Sequence, residues 1–377
     1  MTLHVPYVGV DEASPPGATG GFLPVAASAA PAPPAPFWLL GEEGWRRECL
    51  PAAPPIGPLG LRRLSDVSLC GSGYLFSGER FVLENAHTSR IGLQWLQNPH
   101  FPDNPFTTPP PIDIPVQRTG LIVFGPGFPI WGHFLLDFLP RIALARLALG
   151  ERFRALAIPV PSDAPDWYRP ALDRLCGVGD DQLVPYDRHR ERLRFDEAWL
   201  PDFAHDGEHV LHPFANDLFA QFVPERPAPA GRRLCLSRRR FERETRSLWR
   251  VFENREAFER MAIRRGYEIV CPEDLPLDEQ IALFADATHL VGEFGSGMHN
   301  AVFCRPGMRV GCFPFSNALQ CHIAAAGRQQ LAIVDRGDRR TDGRGVVFYG
   351  VAEDDLEQLF DRLDDPAPEG GPFSVGS

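Results

Sequence analysis

From residue 232 onward, short apolar runs alternate with longer amphipathic stretches. Arg233-Leu-Cys-Leu-Ser, Tyr267-Glu-Ile-Val-Cys, His289-Leu-Val-Gly and Arg309-Val-Gly-Cys-Phe are short and apolar, the texture of strands buried on both faces. Between them, Asn254 to Arg264, Leu277 to Ala287 and Ser296 to Cys304 predict helices, the first with Asn254 at its N-cap. Strands separated by helices imply a parallel sheet covered by helices. A last amphipathic helix, residues 352–364, is expected to pack back on the first half of the chain.

Upstream the pattern is less regular. Residues 1–118 read as an irregular, β-containing region, with a Pro/Ala-rich stretch over residues 11–36 and short apolar runs such as Gly73-Tyr-Leu-Phe and Arg80-Phe-Val-Leu. The texture changes near residue 119. Leu121-Ile-Val-Phe predicts a buried strand, and Trp131 to Leu149 a helix that Pro140 kinks or splits. Residues 119–225 are thus expected to form a first α/β domain. A Pro-rich linker beginning at Val223 leads to a second domain over residues 232–345. Ligands of such folds sit at the carboxyl ends of the strands, and two α/β halves place a site in the cleft between them.

Composition removes several chemistries. The chain has 377 residues and a formal net charge of −11, which disfavours binding to nucleic acid. It contains no lysine, so Schiff-base, pyridoxal-phosphate and P-loop lysines are excluded. The eight cysteines, at 49, 70, 176, 235, 271, 304, 312 and 321, form no CxxC pair and read as reduced apolar residues. The first positive charge is Arg46, so the basic start of a secretory signal is missing, and the expected location is the cytoplasm.

Three clusters could carry chemistry. His133 and Asp137 lie four apart on one helix face, with Arg141 a turn later: an acid/base pair or a lock on the helix start. Ser237-Arg238-Arg239-Arg240 follows a predicted strand, where guanidinium groups can fork onto phosphate oxygens. Such a run can equally be a basic loop pairing with Glu242 and Glu244. Gly292-Glu293-Phe294-Gly295-Ser296-Gly297-Met298-His299-Asn300 is a glycine turn between a strand and a helix, open to an anion or a sugar hydroxyl. His205, His209 and His212 have a metal-like spacing, but Pro201 and Gly207 point to a loop, and no metal site is assigned.

In this order the clusters resemble glycosyltransferase family 61, especially its bacterial members near capsule and exopolysaccharide synthesis. His133-Phe-Leu-Leu-Asp-Phe-Leu-Pro-Arg141 is similar to the family's HWLLDxLPR, and Ser237-Arg238-Arg239 to its SRR strand end. Gly266 through Gln280 resembles its GYEVV.PE.LS..EQ segment, and Val291 through Asn300 its VG.HGAGL.N motif. Phe294 stands where many members have His, and Ser296 where many have Ala.

The resemblance implies a GT-B fold, with two Rossmann-like domains facing a cleft and the donor held mainly by the second. It implies an inverting, metal-independent transfer from a nucleotide-sugar to a glycan or lipid-linked saccharide, with no cofactor. A lipid-linked acceptor would bring the protein to the inner membrane surface. Ser237, Arg238, Arg239, Gly295, Ser296, Gly297, His299 and Asn300 are then the donor-binding residues. Asp137 or His133 is the base, with Glu293 as the next carboxylate to test. The competing readings are a pyruvyltransferase-like enzyme on the same architecture and a non-catalytic nucleotide-sugar-binding or assembly protein.

Overall fold

The structure, a computed structural model, describes residues 2–13, 21–33, 35, 37–41, 54–101, 104–107, 111–206, 209–224, 231–240, 242, 250–314, 318–343 and 345–365. Parts of the Pro/Ala-rich stretch, most of the expected linker, Cys49 and Glu244 lie outside these residues. The chain divides into two compact units, residues 1–30 with 55–215 and residues 31–54 with 216–377.

The first unit is built on a mixed sheet. Its strands are β1 (Tyr7–Gly9), β2 (Phe22–Ala26), β4 (Leu59–Cys70), β5 (Tyr74–Ser77), β6 (Arg80–Leu83), β7 (Ile112–Val116), β8 (Gly120–Leu121) and β11 (Glu191–Pro201). The main path runs β1-β6-β5-β4-β11-β7, with β2 on β4 and β8 on β11. β4 pairs antiparallel with β5 and along nearly its whole length with β11, from Arg192 opposite Cys70 to Pro201 opposite Leu61. A separate parallel pair joins β9 (Ile158–Pro161) and β10 (Leu183–Tyr186).

This corrects two expectations. Residues 1–118 are not a region apart, because β4 to β6 form the middle of the sheet that β11 completes. Nor does 119–225 form a Rossmann-like domain of its own. The predicted strand at 121–124 contributes only β8 to the sheet, although Leu121, Ile122, Val123 and Phe124 are all buried. The physical reason is the length of β4 and β11: two long strands with many residues buried on the core side pair with each other before either can alternate with helices.

The second unit bears out the alternating pattern. β12 (Arg232–Leu236), β14 (Glu268–Val270), β15 (Ala287–Glu293), β16 (Arg309–Phe313) and β17 (Gln330–Asp335) pair in parallel in the order β14-β12-β15-β16-β17. The outer edge is closed by β3 (Phe37–Gly41), which pairs with β17 in parallel. A small sheet of β13 (Arg250–Phe252), β19 (Val347–Gly350) and β18 (Asp338–Thr341) accompanies it.

The helix Glu353–Asp364 does not pack as expected on the first half. Its buried Leu356, Leu359, Phe360 and Leu363 recur at helical spacing and join the core of the second unit, beside Phe258, Val291 and Val334. Gly311 in β16 admits it. A Cβ there would lie 2.8 Å from Leu363 Cδ1 and 3.0 Å from Val291 Cγ2. Among the described cysteines, 70, 176, 235, 271, 304 and 312 form no disulfide. Cys321 is disulfide-bonded, which corrects the reading of all eight as reduced thiols. No described helix is long and apolar enough to cross a membrane.

Candidate functional site

In the first unit the predicted helix is interrupted as Pro140 requires. Trp131–His133 and Leu139–Leu149 are α-helical, and Phe134–Phe138 between them widens to a π turn, with the Leu139 N–H donating to the Phe134 carbonyl. Pro140 has no N–H, and its ring would clash with the carbonyl four residues back, so a widened turn resolves the conflict. Such turns recur at functional sites.

The turn carries Asp137, whose side chain is 2% exposed. Its Oδ2 accepts from the Thr88 hydroxyl at 2.7 Å and lies 2.7 Å from His133 Nδ1. Its Oδ1 lies 3.0 Å from His205 Nε2, and His205 Nδ1 donates to the Asp206 carbonyl at 2.7 Å. A carboxylate enclosed this way is between two imidazoles and a hydroxyl. Burial by itself would raise the Asp137 pKa, but the contacts with His133 and His205 outweigh it and hold the group well below the usual carboxylate range. Burial would lower the pKa of His133, and again the Asp137 carboxylate outweighs it, so His133 is raised above the ordinary 6.5. His205 is raised for the same reason, with the Asp206 carbonyl adding to the effect. His133 differs from His205 in access: its side chain is 29% exposed, that of His205 fully buried.

Arg141 is not part of this site's working face. It is 1% exposed, donates from Nε to the Pro201 carbonyl at 2.8 Å, pairs with Glu84 Oε2 at 2.7 Å and stacks 4.2 Å over the Phe203 ring. It ties the helix to the end of β11 and to the segment after β6.

Among the described residues, Asp137, His205 and His209 have side-chain ligand atoms within 4.8 Å of one another, close enough to hold a metal ion. His205 Nε2 already contacts the Asp137 carboxylate at hydrogen-bond distance, and a metal would have to open that contact. His212, the third histidine of the sequence spacing, is turned elsewhere, with Nε2 3.0 Å from the Ala27 carbonyl.

In the second unit, β12 and β15 are neighbours with Leu236 opposite Gly292. Ser237 and Glu293 therefore stand side by side at the carboxyl edge of the parallel sheet. A tight 3-10 helix, Ser296–Phe303, follows with Gly295 as its N-cap. A Cβ on Gly295 would lie 2.8 Å from both Arg238 NH1 and Arg250 NH2, so two guanidinium groups converge on this glycine. Arg250 NH2 also donates to the Phe294 carbonyl. Its pKa is lowered by burial first and by the Arg238 charge second.

The other predicted donor residues are engaged otherwise. Arg239 pairs with Glu259 at 2.5 Å, and Glu259 also accepts from the Ser237 hydroxyl at 2.8 Å. Arg240 pairs with Asp274. Asn300 donates to the Gly297 carbonyl at 3.1 Å, and His299 is buried with its ring edge-on to Phe294. Ser296 and Gly297 form the first turn of the 3-10 helix. Glu293 is held on both oxygens, by Arg255 Nε at 3.0 Å and by the Tyr349 hydroxyl. These contacts make it a buried pin between β15, Arg255 and β19.

One comparison with known proteins bears on both clusters. Residues 131–311 match the glycosyltransferase family 61 model. No curated protein matches the chain. The glycosyltransferase 61 span opens on the helix turn that holds His133 and closes inside β16, so it includes both the Asp137 cluster and the Gly295 turn. It supports a glycosyltransferase, an enzyme with a sugar donor and an acceptor. Thr88, on the helix His87–Gln97, lies before the span, and Tyr349 lies after it.

Proposed function

We propose that the chain is an inverting, metal-independent glycosyltransferase of polysaccharide synthesis, capsule or exopolysaccharide, acting on a nucleotide-sugar and a glycan or lipid-linked acceptor. The donor is held by the parallel-sheet unit. The observation that carries the reading is the pair Arg238 and Arg250 converging on Gly295 at the carboxyl edge of that sheet. Two like charges held together invite a dianion, and a departing nucleoside diphosphate is one. The N-terminal end of the following helix turn adds to the same field. On the first unit, the exposed edge of His133, backed by Asp137, supplies the group that takes the acceptor hydroxyl proton as the oxygen attacks the anomeric carbon from the face opposite the nucleotide.

The test is a donor screen by thermal stabilisation with UDP-, GDP-, CMP- and dTDP-sugars, followed by assay of nucleotide release. Losing a charge-assisted phosphate contact costs roughly 1.5–3 kcal/mol, about tenfold or more in affinity. Arg238→Ala and Arg250→Ala should each show that loss, and Arg239→Ala, whose guanidinium faces Glu259, should show less. Gly295→Ala should fold, because the new methyl meets only the tips of two flexible side chains, yet bind donor more weakly by displacing them. Unchanged donor affinity in both Arg238→Ala and Arg250→Ala would overturn the assignment. Donor binding without nucleotide release would mark an assembly protein instead.

A further inference from the structure

His205 lies between two acceptors. Its Nδ1 faces a backbone carbonyl, the oxygen of Asp206 at 2.7 Å, which can only accept, so Nδ1 carries a proton. Its Nε2 faces Asp137 Oδ1 at 3.0 Å. The other oxygen of that carboxyl group already receives the Thr88 hydroxyl and faces His133 Nδ1, contacts that favour the ionised form. A neutral imidazole has a single N–H and cannot satisfy both sides.

We propose that His205 is a standing imidazolium, a positioning residue that neutralises Asp137 and thereby lowers the pH at which His133 becomes neutral; neutral His133 carries Nδ1–H toward Asp137 and presents Nε2 as the atom that accepts the acceptor's proton. This rests on the transferase reading for its use of His133, though not for the state of His205. The reasoning is one of charge. A single buried carboxylate can balance one buried cation well. His205 is fully enclosed with both nitrogens facing acceptors, so it is the better seat for that cation. A second proton on His133 would then stand near a like charge without a second anion. The groups facing His205 are Asp137, His133 beyond it, the Asp206 carbonyl, and the rings of His209 and Phe203, with centroids 5.0 Å and 5.3 Å away. Those facing His133 are Asp137, His205 and the backbone of Gly127, where a Cβ would lie 2.7 Å from its ring. The Asp206 carboxylate adds its negative charge on the His205 side, which favours the cation there.

The state of His205 can be read without substrate. In the full-length chain with nitrogen-labelled histidine rings, NMR over the folded pH range should show one buried ring protonated at both nitrogens throughout. It should show His133 titrating, Nδ1-protonated when neutral; single-residue variants assign the signals. A His205 ring that loses a proton near neutrality would overturn the proposal. So would added Zn²⁺ that removes the Nε2 proton on binding.

His205→Gln keeps a donor toward Asp137 and removes the charge. His133 should then hold its proton more tightly. The acid limb of turnover should move to higher pH by about one unit or more, with the rate at high pH largely recovered. A lower melting temperature with an unmoved limb would assign His205 a structural role only and overturn the proposal. If His205→Gln does not fold, the NMR result on the unaltered chain decides. If the chain transfers no sugar, the NMR result still stands or falls alone.

Discussion

His133→Ala should lower turnover about 10²–10⁴-fold while leaving donor affinity nearly unchanged, because it removes a proton acceptor and no phosphate contact. Asp137→Asn should lose a comparable factor, since the neutral amide removes the negative charge that makes His133 more basic. The two variants should differ in stability. Alanine at 133 leaves the Asp137–His205 pair intact, whereas asparagine at 137 leaves a buried His205 without its anion and should melt lower.

The pH dependence has a definite sign. His133 must be neutral to act, and its pKa is raised above 6.5, so turnover should rise with pH through a value above that of an ordinary histidine. Linkage runs the other way for folding. A raised histidine pKa contributes stability that is full below the unfolded value and is lost as pH rises through the folded one. The pH that switches the site on is therefore the pH at which the His133–Asp137 ion pair stops supporting the fold. Near-normal turnover in well-folded forms of both variants would end the acid/base assignment.

Arg141→Ala is expected to be the most destabilising of the single changes considered. Removing one partner of a buried ion pair typically costs about 3–5 kcal/mol, because the other charge stays behind. Glu84 would be that charge, in surroundings whose burial already pushes its carboxyl pKa upward against the pull of Arg141. The expected fall in melting temperature is roughly 6–20 °C, by the usual conversion for units of this size. The paired change Arg141→Met with Glu84→Gln should recover part of it. A melting temperature within a degree of the unaltered chain would show that Arg141 is not the clamp its contacts suggest.

The parallel sheet of the second unit was legible in the sequence because its central strands are buried on both faces, and continuous apolar runs between helices mark that arrangement. The first unit was not, because the antiparallel pairing of β4 with β11 joins residues 61–70 to 192–201, a separation that leaves no local pattern. The same distinction holds at the sites. His133 and Asp137 are four apart on one helix and could be paired by spacing. Thr88 and His205 reach Asp137 from elsewhere in the chain; Thr88 gave no signal, and His205 stood out only by its histidine spacing. Of the arginine run, Arg239 and Arg240 turn to Glu259 and Asp274, carboxylates far along the chain. Arg250 takes the place beside Arg238, and it sits on β13, whose partner β19 lies about a hundred residues on.

The strand β3 has a consequence for how this protein is made. Phe37 pairs with Leu331, so the outermost strand of the second unit leaves the ribosome before nearly everything it will join. Residues 31–54 belong to one unit while the chain on both sides of them belongs to the other. No single cut can therefore separate the two. A fragment beginning at residue 216 would carry β12 and β14 to β17 but present the flank of β17 with its hydrogen-bonding groups bare, the kind of edge that recruits other chains. Only a chain that carries both Phe37–Gly41 and Gln330–Asp335 supplies the cover for that flank.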